Sequence, residues 1–167
     1  MHTVLLLGSG KIGRMIAHFL SETGDYEVRV GDIDVQALER LRSRVDVETA
    51  VVDATNADEL ARALNGCDSV ISALSFHHNP LVAEAALAAG VSYFDLTEDI
   101  QTTHRVRHVS EQAAKGQIFM PQSGLAPGFV SIVAHHLTQS FDQLDTVFMR
   151  VGALPQFPTN ALKYNLT

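Results

Sequence analysis

Residues 8–13 read Gly8-Ser9-Gly10-Lys11-Ile12-Gly13, set between the apolar run Thr3-Val4-Leu5-Leu6-Leu7 and a helical pattern that continues through Leu20. Each glycine answers a separate physical demand. Gly8 permits a tight strand-to-helix turn, Gly10 lets backbone approach a pyrophosphate, and Gly13 lets the helix lie close to the strand. The first amides of a helix lack partners and carry a partial positive charge, so the turn, with Lys11 and Ile12 in it, suits phosphate. The next apolar run closes on Asp32, about 20 residues beyond the last glycine, where a carboxylate can accept the hydroxyls of an adenine ribose. Strand, turn, helix, strand and acid follow in the order of a dinucleotide-binding βαβ unit.

The alternation continues. Strand-like runs fall near 3–8, 26–32, 47–52, 68–74, 91–96 and 117–120, with helical patterns near 11–23, 34–43, 57–64, 79–89 and 100–115. This predicts an α/β fold, a Rossmann-type doubly wound parallel sheet; right-handed crossovers make 3-2-1-4-5-6 the simplest strand order. Ile12, Met15, Ile16, Phe19 and Leu20 are expected to form the inward face of the first helix, which Gly24 ends. Asn79-Pro80 opens the fourth helix and Gly90 closes it.

After residue 120 the pattern breaks into the loop Pro121-Gln122-Ser123-Gly124-Leu125-Ala126-Pro127-Gly128, an apolar helix from about 129 to 138, and a strand-like run over 146–151. A lone strand has no partner for its backbone groups. The expected division is a dinucleotide-binding domain over 1–122 and, over 123–167, the loop, helix and first strand of an incomplete substrate domain.

At 46% apolar residues, 167 residues suffice for one cored domain and part of another. The net charge of −7 argues against nucleic acid or an anionic membrane as partner, and favours a small neutral or cationic substrate. Cys67 is the single cysteine, so neither an internal disulfide nor a cysteine-based zinc site is expected. No signal peptide or bilayer-spanning run is recognisable, and a cytoplasmic setting is the default expectation.

Asp32 and Asp34 would both repel a 2′-phosphate, so NAD is expected over NADP, with Asp34 itself capping the second helix. Asp53, closing the third strand, is either a carboxylate near the adenine amino group or a helix cap. Ser72-Ala73-Leu74-Ser75 supplies small residues at the end of the fourth strand, where a nicotinamide ribose can approach backbone. No metal site is expected. His77 and His78 are adjacent and lack a third ligand, His104 and His108 lack the glutamate of a zinc motif, and His135-His136 should divide between surface and packing positions. Asp95 and Glu98 fall beyond the fifth strand, where ligands collect, and either can hold a cationic amine or act as a base. Helix capping accounts for Thr97 and Asp99. Gly124, Leu125, Ala126, Pro127 and Gly128 lead into a helix whose unpaired amides could bind an anionic substrate group, or they form a turn needed for geometry alone.

Taken together, the glycine motif, Asn79-Pro80 through Ala89-Gly90-Val91, Tyr93-Phe94-Asp95-Leu96-Thr97-Glu98, Gly124-Leu125-Ala126-Pro127-Gly128 and Gly152-Ala153-Leu154-Pro155-Gln156 resemble the saccharopine dehydrogenase superfamily. That superfamily includes saccharopine reductases, lysine dehydrogenases and carboxynorspermidine dehydrogenase, and the alanine before Pro127 is more similar to the lysine dehydrogenase branch. The resemblance implies hydride transfer between an amine carbon and a nicotinamide by way of an imine. It implies a Rossmann domain followed by a mixed α/β substrate domain, after which the chain returns to the first. Gly8, Gly10, Gly13, Asp32 and Asp53 would hold NAD, and Ser75 would touch the nicotinamide side. Asp95, Glu98 and residues 124–128 would border an amino-acid or amine substrate. The full-length form is expected to be a homodimer, and this chain alone is expected to be inactive. The competing reading is a non-catalytic Rossmann nucleotide sensor, which has no need of the 124–128 loop.

Overall fold

The structure, a computed structural model, describes residues 1–152. The chain runs β1 (His2–Leu7), α1 (Lys11–Thr23), β2 (Tyr26–Asp32), α2 (Val35–Arg42), β3 (Glu48–Val51), α3 (Ala57–Leu64) and β4 (Ser69–Ser72). It continues through a 3-10 turn (Phe76–His78) into α4 (Asn79–Ala89), β5 (Ser92–Asp95), α5 (Ile100–Ser110), β6 (Phe119–Met120) and α6 (Phe129–Thr138). The six strands form one parallel sheet in the order β3-β2-β1-β4-β5-β6, the expected doubly wound arrangement.

β1 lies inside the sheet and reads as an unbroken apolar run because both its faces are covered. Leu5 and Leu7 pack with Leu60, Val82 and Val106 of α3, α4 and α5, whereas Leu6 packs with Ala17, Leu38 and Leu41 of α1 and α2. Each such leucine contributes roughly 1.5–3 kcal/mol through burial. The helices change sides between the two halves of the sheet, so the strand order reverses at β1 and β4. In open sheets of this kind such a reversal is where ligands collect, outside the carboxyl ends of the strands. On the α1 side the cover stops early: Met120 of β6 is 52% exposed.

Local signals set the helix limits. Asp34 accepts hydrogen bonds from the amides of Gln36 and Ala37, Asn56 caps α3 in the same way, and Asp99 caps α5 through Thr102 N–H. Gly24 and Gly90 end α1 and α4 in the left-handed conformation.

Three expectations are corrected. The inward face of α1 is Gly13 and Ala17, flanked by the partly buried Ile16 and Leu20, while Ile12, Met15 and Phe19 are 59%, 51% and 60% exposed. Close approach to the sheet selects the small residues, and the bulky ones point away. α5 stops at Ser110 rather than 115, because the chain turns at 111–117 to reach β6. Residues 146–150 are not in a strand, and among the described residues no strand pairs with them. The motif at 153–156 and the irregular stretch to 167 lie outside the described residues.

Candidate functional site

The glycine turn is built against two strand ends. Gly8 sits at φ +100° and donates its N–H to Gly31 O at 2.8 Å, and a side chain on it would meet Ala73 O. Gly13 faces the carbonyl of Gly8 so closely that a Cβ there would overlap the backbone oxygen. Gly10 differs: it is exposed, and the space its missing side chain would fill is open. As N-cap of α1 it brings no side-chain bond, and the first turn holds no acidic residue. Arg14 is the first α1 residue to bond backward, to Gly10 O, so the N–H groups of Lys11, Ile12 and Gly13 have no partner among the described residues. Open space in front of free, positively polarised amides is what a pyrophosphate requires.

Asp32 closes β2 beside this turn. Its Oδ2 accepts from Ser9 N at 2.6 Å and Ser9 Oγ at 2.7 Å, and its Oδ1 accepts from Asp34 N at 2.9 Å. Partial burial would raise its pKa, but the bonds from Asp34 and Ser9 outweigh that and hold the carboxyl below its ordinary range. It therefore stands as an anion at the end of β2, beside the glycine turn. Asp53 is not a helix cap, since that role falls to Asn56. Instead its carboxylate accepts from the hydroxyl and amide of Thr55, which hold its pKa down, and Glu59 takes Asp53 N–H at 2.8 Å. Ser75 is exposed beyond β4, and Ser72 just before it is buried, donating to Asn79 Oδ1 at 2.7 Å.

Beyond β5 the two candidate carboxylates part company. Asp95 is fully buried, accepting from Tyr93 Oη at 2.7 Å, Thr97 N at 2.9 Å and Gln122 N at 3.0 Å. Burial, with Asp95 beside it, pushes the Tyr93 phenol well up. The enclosed carboxyl ties β5 to the loop at 122–123, a buried setting in place of the open one expected of a base or an amine-binding acid. Glu98 is exposed and has no side-chain partner among the described residues.

The 124–128 loop also differs from expectation. A side chain on Gly124 would press on Leu96 O, and one on Gly128 would overlap Gly124 O. The chain folds back so tightly that Phe129 N donates to Gly124 O, Val130 N to Leu125 O, and Ser131 N to Gly128 O. No unpaired amides are left at the start of α6, so its anion-binding rationale fails. His135 and His136 are both exposed rather than divided. No group of three His, Cys, Asp or Glu side chains among the described residues could hold a metal, and no described helix is long and apolar enough to cross a membrane.

Residues 4–120, the segment that carries this sheet and its glycine turn, match the family model described as saccharopine dehydrogenase NADP binding domain. The chain belongs to that family. Within the saccharopine dehydrogenase family, a relative is the mitochondrial alpha-aminoadipic semialdehyde synthase of Rattus norvegicus, 23% identical over 98% of this chain and 18% of its own length. Among solved structures, apo saccharopine dehydrogenase (L-Glu forming) from Saccharomyces cerevisiae superposes with a TM-score of 0.71 at 23% identity, covering 84% of this chain and 30% of that one. A myo-inositol dehydrogenase from Sinorhizobium meliloti gives 0.65 at 19% identity, over 84% of this chain and 41% of that one. These likenesses show a shared dinucleotide-binding fold. The chain is thus a nicotinamide-dinucleotide-binding domain of this family, and it spans under a third of the length of the rat and yeast proteins.

Sequence reasoning missed Ser9, the partner of Asp32, and the Tyr93–Asp95–Gln122 joint. A buried serine inside the glycine motif carries no distinct sequence signal, and Gln122 lies 27 residues from Asp95.

Proposed function

We propose that this chain is the NAD-binding portion of an oxidoreductase that moves a hydride to or from the amine-bearing carbon of an amino acid or amine. The observation that carries the reading is the open first turn of α1, set beside a low-pKa Asp32. When bound, the nicotinamide supplies the hydride chemistry. Gly8, Gly10 and Gly13 give the phosphates their approach, with the amides of Lys11 and Ile12 facing them. Asp32 accepts a ribose hydroxyl.

The family description names NADP, and the residues of this chain favour NAD. A 2′-phosphate at the ribose would lie against the Asp32 anion, and the nearby cation Arg40 is engaged by Asp34 at 3.5 Å. Glu98 is the exposed carboxylate placed to border an amine, while Ser75 lies on the nicotinamide side. Asp53 could still reach adenine with its free acceptor capacity. The amine-carbon chemistry rests on the family relationship.

Calorimetric titration with NAD and NADP tests the cofactor reading. NAD is expected to bind at least tenfold more tightly, and Asp32→Ala to lose about tenfold or more in NAD affinity. Equal affinities in the parent, or an unchanged variant, would end the assignment. Assays of NADH formation with lysine and related amines test the substrate class, and no turnover is expected from residues 1–167 alone.

A further inference from the structure

We propose that Ser9 is a specificity-setting residue: by occupying one oxygen of Asp32 completely, it leaves the other to a single ribose hydroxyl and locks the carboxylate where a 2′-phosphate would lie. This rests on the reading of Asp32 as the ribose-binding acid. Ser9 is only 2% exposed, and both its donors, the amide at 2.6 Å and the hydroxyl at 2.7 Å, end on Asp32 Oδ2. A carboxylate oxygen offers about two acceptor positions, so Oδ2 is full. Oδ1 takes the bond from Asp34 N at 2.9 Å, and the Ile33 amide adds to the stabilisation of the charge, so at most one position there is left for a ribose hydroxyl.

Two consequences follow from this arrangement. The charge cannot swing aside to admit a phosphate, because turning the carboxyl would break both bonds from Ser9 and the one from Asp34. The geometry also divides the work of the motif. Gly8, Gly10 and Gly13 make room for phosphates, whereas the residue between the first two glycines sets the orientation of the acid on the neighbouring strand. Ser9 itself need not touch the cofactor. Its hydroxyl proton is already committed to Asp32, so it acts as a positioning residue.

The test is a double-mutant cycle of Ser9→Ala and Asp32→Ala in the full 167-residue chain, titrated with NAD and with NADP, with thermal melts alongside. Ser9→Ala removes one buried hydroxyl and keeps the amide bond. With the carboxyl released to turn away from a 2′-phosphate, the NAD-to-NADP affinity ratio is expected to fall about tenfold, chiefly through tighter NADP binding. In the Asp32→Ala background the same change should have no further effect on that ratio. Loss of the hydroxyl donor should also move the acid limb of NAD binding to higher pH, which a purely structural role would not do.

An unchanged ratio in Ser9→Ala, or equal effects in both backgrounds, overturns the inference while leaving Asp32 as the ribose acid. If Asp32→Ala itself leaves NAD affinity unchanged, both this inference and the reading beneath it fail. Should Ser9→Ala melt early, Ser9→Gly, which also keeps the amide, gives the same comparison of ratios.

Discussion

Residues 8–10 and residues 124–128 each carry the chain from a strand end into a helix through glycines, with positive φ at Gly8 and at Gly128. Before α1 the Gly10 carbonyl is taken by the Arg14 amide, and among the described residues no carbonyl accepts from the amides of residues 11–13. Before α6 the carbonyls of Gly124, Leu125 and Gly128 turn back onto the amides of residues 129–131. A glycine-rich turn ahead of a helix shows only that the backbone is permissive. The direction of the neighbouring carbonyls decides whether the helix start is left for a ligand or closed on itself.

The two helices also differ in what they bury. α1 presses Gly13 and Ala17 onto the sheet, whereas α6, although more apolar, buries no residue and leaves Phe129 and Ile132 59% and 68% exposed. Apolar sequence makes a helix possible, but burial needs a partner surface.

The largest expected effect is on binding. Gly10→Val puts a side chain into the open space before the free amides and should weaken NAD binding 100-fold or more, about 2.7 kcal/mol, with the melting temperature nearly unchanged. A variant that still binds normally would show that the phosphates lie elsewhere. Gly128→Ala supplies the opposite case. Its Cβ meets the Gly124 carbonyl at a φ of +129°, so about 1–3 kcal/mol of stability should be lost in denaturant titration while NAD affinity holds. If affinity falls instead, the second loop belongs to the cofactor site.

Asp95→Asn separates positioning from chemistry. It keeps an acceptor for Thr97 and Gln122 but turns an amide toward the Tyr93 hydroxyl, so a loss of about 1–2 kcal/mol is expected, with faster hydrogen exchange confined to residues 121–130. Exchange unchanged there would break the proposed joint between β5 and the loop.

The smallest effect is electrostatic. Because the folded state holds the Asp32 carboxyl low, its contribution to stability is fully present above about 3.9, the unfolded value, and is lost as pH falls through the lower folded value. In denaturant titrations the stability gap between parent and Asp32→Asn should therefore be widest near neutrality and narrow in acid. A gap independent of pH would remove the ionised carboxylate from the account.

Much of this molecule was legible in its residue order. The unbroken run at Leu5, Leu6 and Leu7, the spacing from Gly8 to Gly13, Asp32 at the end of the next strand, and the stops at Gly24 and Gly90 act through local backbone limits and through a burial pattern that repeats along the chain. They determined the sheet, its strand order and the glycine turn before α1. Tertiary structure alone decided which way groups face. Gly13 and Ala17, not Ile12 or Phe19, meet the sheet because helix and strand must approach closely there. Asp95 serves as a buried anchor because Gln122, distant in sequence, arrives to bond it. The amides before α6 are satisfied because the loop's carbonyls curl back. Ser9 holds Asp32 because two adjacent strands end side by side. Hydrogen-bond direction and burial depend on which surfaces the fold brings together, and no local pattern records that.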